Sequence, residues 1–213
     1  MVAGKRLNAG ETWTLDDSSG GTIWARTGCS FDEEGNGSCQ TGDCDGVLAC
    51  QSAGQRPFTA ADFMFGEVAG HSFFDISLDD GFNVPMAFLP VPVMGQGELG
   101  CSRGPTCAAN ITSECPNELK APGGCNSACH VFNNQSSLYC CAGYTCKPNN
   151  YSAFFVKMCP EAISYSGNAP SETAFSCPSG TDYNIIFCPQ MTDQPNVCIS
   201  RSSSTFIKTS KSS

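Results

Sequence analysis

Charge is scarce in this chain. Only 15% of its 213 residues are charged, and 11 basic residues face 20 acidic ones, a net charge of −9. So few cations exclude a nucleic-acid binder, whose target phosphates demand Lys and Arg. They also disfavour anionic membrane surfaces. Histidine is nearly absent. His71 and His130 stand far apart, which leaves little for a zinc site or a Ser-His-Asp triad. No apolar run approaches the roughly 20 residues of a membrane span. The start, Met1-Val2-Ala3-Gly4-Lys5-Arg6, has no apolar h-region, so no signal peptide is legible here. No G-x-S-x-G elbow occurs. The G-x-G-x-x-G of Gly95 to Gly100 precedes a cysteine in a Pro-rich loop without a following helix pattern, which argues against nucleotide binding. No cofactor and no metal are implied.

Cysteine, by contrast, is abundant. Sixteen cysteines accompany 22 glycines and 13 prolines. An even count this high in a short chain implies disulfides and an oxidising compartment. Cys125 and Cys129 imitate half a zinc site, but no matching half stands out. The cysteines outweigh the missing leader, so the protein is expected to be secreted and its start truncated. Hydrophobic residues make up 40% of the chain, enough for a core, and the length suits one large domain with satellite lobes.

Local pattern is mostly that of strands. Gly10 to Leu15 alternates polar with apolar groups, and Thr22 to Arg26 reads as a second strand after Gly20-Gly21, together suggesting a hairpin. Ala60 to Phe65 and Ser72 to Leu78 read as strands by their aromatics. Phe82 to Phe88 continues after Asp80-Gly81, with Pro85 marking an edge or bulge. One helix is expected over Tyr151 to Met158, capped by Asn150 or Ser152 and ended by Pro160. Tyr183 to Phe187 is a closing strand. The tail, 190–213, is rich in Ser and Thr and is expected to be disordered.

The run Gly35-Asn36-Gly37-Ser38-Cys39-Gln40-Thr41-Gly42-Asp43-Cys44-Asp45-Gly46, followed by Cys50, resembles the signature of the thaumatin-like family. Ile23 to Cys29, Phe74 to Leu78, Asp80 to Pro85, Cys115 to Leu119 and Tyr183 to Pro189 resemble the family in the same order. The resemblance covers roughly residues 4 to 189. It implies an all-β fold: a flattened β-sandwich core with disulfide-rich loop lobes and one short helix. The core would hold 1–28, 51–106 and 177–189, a small stapled lobe 29–50, and a loop and helix lobe 107–176. It also implies the pairs Cys29–Cys39, Cys44–Cys50, Cys101–Cys177, Cys107–Cys159, Cys115–Cys125, Cys129–Cys140 and Cys141–Cys146. Two leading strands of the family have no counterpart here. With them goes the usual partner of Cys188, which is expected to pair with Cys198 or to stay free.

Resembling proteins line a cleft between core and loop lobe with one arginine and four carboxylates. By local match the cleft positions here are Arg26, Asp62, Asp75 and Asp80. Asp62 replaces the usual glutamate, and the fourth carboxylate is missing from Ser164 to Ala169, where Glu161 or Glu172 are weak substitutes. Glycoside hydrolysis needs one acid to protonate the leaving oxygen and a second as base or nucleophile. Asp62 and Asp75 are the catalytic candidates. Against this, Arg26 could simply pair with Asp75 or Asp80 to knit the lobes, and Asp75 and Asp80 would face opposite sides of an unbroken strand. The resemblance implies a monomeric plant defence protein of the apoplast, or of the vacuole. It would bind fungal cell-wall β-1,3-glucan, with weak endo-β-1,3-glucanase activity in reach. The alternative is an inhibitor of a foreign protein hydrolase acting through rigid stapled loops. Sweet-tasting members are strongly basic, and −9 argues against that role.

Overall fold

Period-two alternation places the core. In the strand Ala60–Val68 (β5), Ala61 and Phe63 are buried while Asp62 and Met64 point the other way; in His71–Ser77 (β6), Ser72, Phe74 and Ile76 are buried while Phe73 and Asp75 oppose them. The structure is a computed structural model and describes residues 4–16, 20–68, 70–91, 101–132, 136–140, 147–165, 175–189 and 205–209. Cys141, Cys146, Glu172, Cys198 and the Gly95 to Gly100 motif lie outside the described residues.

β5 and β6 are antiparallel neighbours with Asp62 opposite Asp75 and Met64 opposite Phe73. Gly20–Trp24 (β2) flanks β5, and Phe175–Pro178 (β11) flanks β6, which completes a four-stranded sheet. The second large sheet has five strands. Tyr183–Phe187 (β12) pairs with Met86–Pro90 (β7), which pairs with Thr106–Cys107 (β8). On its other side β12 pairs with Thr205–Thr209 (β13), and β13 pairs in parallel with Thr12–Leu15 (β1). The class is all-β, as the sequence leads one to expect.

The two sheets meet through aromatic rings. Phe74 of β6 lies 4.9 Å from Phe88 of β7 and 4.8 Å from Tyr183 of β12, centroid to centroid, and Phe63 meets Phe88 edge-on at 6.3 Å. Phe74, Phe88 and Tyr183 are fully buried. Each such side chain contributes on the order of 2 kcal/mol through burial. Phe65 stacks on Tyr183, so most of the Phe run is sandwich core.

Two local expectations give way to tertiary pairing. β1 and β2 do not form a hairpin: β2 joins β5, and β1 lies in the other sheet beside β13. The tail is not without structure throughout, because Thr205–Thr209 lies between β1 and β12. A strand slot whose neighbours offer unpaired N–H and C=O groups on both sides outweighs a weak local preference for disorder.

Two smaller lobes hang from this core. Ser30–Phe31 (β3) pairs with Gly37–Ser38 (β4), stapled by Cys29–Cys39 and neighboured by Cys44–Cys50. The loop lobe carries single helical turns at Ile111–Glu114 (α1), Ala128–Val131 (α2) and Ser136–Tyr139 (α3), a two-stranded piece of Lys120–Ala121 (β9) and Gly124–Cys125 (β10), and the longer helix Asn150–Met158 (α4). Asn149, not Asn150, caps α4. Its carboxamide oxygen accepts from the N–H groups of Tyr151 and Ser152, and Ser152 Oγ accepts from the Asn149 N–H. Six disulfides join pairs of described residues: Cys29–Cys39, Cys44–Cys50, Cys101–Cys177, Cys107–Cys159, Cys115–Cys125 and Cys129–Cys140. Their partners are those implied by the resemblance. Cys188 is disulfide-bonded as well.

Asn83 joins the core to the small lobe. Its carbonyl oxygen accepts from Thr59 N at 3.0 Å, and its Nδ2 donates to Ala25 O and Thr41 Oγ1, both at 2.9 Å. Asn83→Ala strands these buried partners, so thermal and urea unfolding are expected to show a loss of about 2 kcal/mol. A loss within error would mean that water replaces the carboxamide.

Candidate functional site: an acidic cleft between sheet and loop lobe

The outer face of the four-stranded sheet does not meet the sandwich core. The loop lobe covers part of it, and a cleft of about 310 Å³ remains between them. Asp62, Ser77, Asp79, Asp80 and Arg56 line the sheet side, and Ser127, Tyr139, Asn149, Ser152, Phe155 and Tyr165 line the opposite side. Disulfides hold that second wall, since Cys129 and Cys140 are part of it.

Two expected residues, Asp62 and Asp80, line the cleft, and Asp75 stands beside Asp62 on the neighbouring strand. Asp62 and Asp75 are direct cross-strand partners on the outward face. Residues so placed have Cβ atoms about 4.5–5.5 Å apart. Asp80 reaches the cleft because β6 ends at Ser77 and the chain turns. Gly81 makes that turn possible: its φ is +96°, and a Cβ there would stand 2.6 Å from Cys125 O. The turn resolves the parity conflict between Asp75 and Asp80.

The electrostatics follow from crowding. Burial first, then Asp62 and Asp79, push the Asp75 carboxyl up to about 7. Its Oδ1 is buried with no hydrogen-bond partner among the described residues. Asp62 is raised as well, mainly by burial, with Asp80 adding to it. Thr22 Oγ1 of β2 counters part of this by donating to Asp62 Oδ1 at 2.5 Å. One carboxyl that holds its proton near neutrality beside another with a donor of its own is the division of labour that acid–base chemistry uses.

Arg26 is not part of the cleft. Its guanidinium donates to Val47 O at 2.8 Å and Leu48 O at 2.5 Å, and lies 5.2 Å from the Phe31 ring centroid. It braces the small lobe, pairing with neither Asp75 nor Asp80. Residues one apart on β2 face opposite ways, so the outward position opposite Asp62 falls to Thr22. The cleft's cation is Arg56, whose Nε donates to Asp80 Oδ1. Sequence reasoning missed both. Arg56 sits in a loop, and Thr22 becomes relevant only once β2 is known to pair with β5. Glu161 does not supply the missing fourth carboxylate, because it binds Arg103 Nη2 at 2.8 Å and the Thr106 N–H at 3.1 Å.

Residues 1–189 match the model of the thaumatin family. The chain is 49% identical over 192 residues to zeamatin of Zea mays, a match spanning 87% of this chain and 81% of the relative. It is 47% identical over 192 residues to an alpha-amylase/trypsin inhibitor of Zea mays, across 87% and 89% of the two chains. It is 47% identical over 191 residues to pathogenesis-related thaumatin-like protein 3.2 of Cryptomeria japonica, across 87% and 79%.

Proposed function

Because this chain belongs to the thaumatin family, we propose that it is a secreted plant defence protein whose acidic cleft binds fungal cell-wall β-1,3-glucan. The observation that carries the reading is the Asp62–Asp75 cross-strand pair, of which Asp62 lines the polar cleft together with Asp79 and Asp80. Glucan hydroxyls are both donors and acceptors. A protonated Asp75 donates to them, and the carboxyl oxygens of Asp62 and Asp80 accept from them. The disulfides support an oxidising, extracellular compartment.

Weak hydrolysis is within the same arrangement. Asp75 would protonate the glycosidic oxygen and Asp62 would attack or activate water, with cross-strand spacing favouring the short separation of retaining enzymes. The shorter side chain at Asp62 and the want of a match for the family's fourth cleft carboxylate keep such turnover low.

A second reading has its own support. A relative at 47% identity is named an alpha-amylase/trypsin inhibitor, and rigid stapled loops suit a protein partner at little entropic cost. Retention on insoluble β-1,3-glucan, with reducing-sugar release measured alongside, separates the two. Wild type is expected to be retained, and Asp75→Asn to release sugar at least tenfold more slowly. No retention of folded wild type, together with inhibition of an amylase or protease, would transfer the assignment to the inhibitor.

A further inference from the structure

The cleft has two unlike walls. The sheet side offers only groups that hydrogen-bond, among them Asp62, Asp80 and Arg56. The loop-lobe side is partly aromatic. Tyr139 ends α3 there, immediately before Cys140, which is tied to Cys129 on α2. Its ring is half-buried and is held from behind by Phe132 at 4.9 Å and Tyr151 at 5.9 Å, while Phe132 and Tyr151 stack on each other at 5.5 Å. A triangle of rings therefore fixes the orientation of one ring in the cleft wall.

A ligand that suits both walls must have a hydroxyl-rich edge and an apolar face. A β-linked glucose unit has both: its hydroxyls are equatorial, and its axial C–H bonds stand on the ring faces. The aromatic face is electron-rich and attracts such C–H groups. Building on the glucan reading above, we propose that Tyr139 is a pyranose-stacking residue. It takes the C–H face of one glucose unit while the hydroxyls of that unit turn towards the carboxylates across the cleft. Bracing by Phe132 and Tyr151 means that little side-chain freedom is lost when the sugar docks. Tyr139 thus sets specificity for all-equatorial sugars, and an axial hydroxyl on the stacked face, as in mannose, would lift the ring away.

Laminarihexaose, mannohexaose and three proteins test this: wild type, Tyr139→Phe and Tyr139→Leu, with near-ultraviolet circular dichroism to certify folding. Titration calorimetry of laminarihexaose is expected to give a Kd raised at least tenfold by Tyr139→Leu and less than threefold by Tyr139→Phe, with mannohexaose weak throughout. Saturation-transfer NMR on wild type, irradiating aromatic protons, is expected to mark protons of one sugar face. If wild type binds and Tyr139→Leu binds equally well, stacking is wrong while the glucan reading stands. If wild type does not bind laminarihexaose, both are wrong. Should Tyr139→Leu not fold, the wild-type NMR experiment decides, and saturation spread evenly over both faces overturns the proposal.

Discussion

The double variant Cys107→Ala, Cys159→Ala is expected to lose about 4 kcal/mol of stability, the chain-entropy value for a loop of 52 residues. The bridge joins β8, at the edge of the five-stranded sheet, to the residue that ends α4. Both cysteines are buried, so alanine adds a small cavity to the lost constraint. α4 is short and only Ser152 and Phe155 of it are buried, and a helix of its length is marginal by itself in water. Loss of the bridge should therefore act locally before it acts globally. Hydrogen exchange is expected to show α4 amides losing protection while those of β5 and β6 keep theirs. Since Ser152 and Phe155 line the cleft, glucan retention should fall with the helix. Equal loss of protection in α4 and β5 would mean that the lobe and the sandwich unfold as one unit.

The second large effect is one of pH. Asp75 is raised from 3.8 to about 7. Between these values the native protein holds a proton that the unfolded chain has released, so stability falls as pH rises through that window. Asp62 is raised too and acts in the same sense. After allowance for the partial exposure of the pair, wild type is expected to be on the order of 2 kcal/mol less stable at pH 8 than at pH 4.5. Asp75→Asn keeps the shape and removes the ionisation. It should flatten most of that slope and leave the variant more stable than wild type above pH 7. Urea midpoints at five pH values read this directly; a variant as steep as wild type would show that Asp75 titrates normally. On the proposed glucan reading, binding is expected to have an acidic optimum, because a proton that Asp75 would donate to a sugar oxygen is lost above pH 7.

Strands β5, β6 and β12 were readable from alternation and aromatic content because each buries one face by period two, whereas β7 is buried on both faces and was readable from its apolar run. The helix α4 was readable from Pro160 and from cap candidates at Asn150 or Ser152, although the cap itself is Asn149. The hairpin of β1 with β2 was misread, since strand pairing is a long-range choice that two neighbouring segments and a turn do not settle. The cleft was half legible. Asp75 and Asp80 lie in a run of recognisable residues, and Asp62 sits at a matched position in β5. Arg26 was assigned by local match to the family's cleft arginine, whereas its partners here are the backbone carbonyls of Val47 and Leu48, which carry no signature in sequence.

What the amino-acid sequence determined alone is the class of molecule: an acidic, disulfide-stapled, strand-rich chain. Composition and periodicity suffice for that because they act residue by residue. The pairing of Asp62 with Asp75, the substitution of Thr22 and Arg56 for Arg26, and the aromatic wall of Tyr139 were decided only by tertiary structure. Each depends on the register of one strand against another, or on a turn such as that at Gly81. Those choices are made by the whole core at once, because a shift of one residue would send every outward carboxylate into the sandwich.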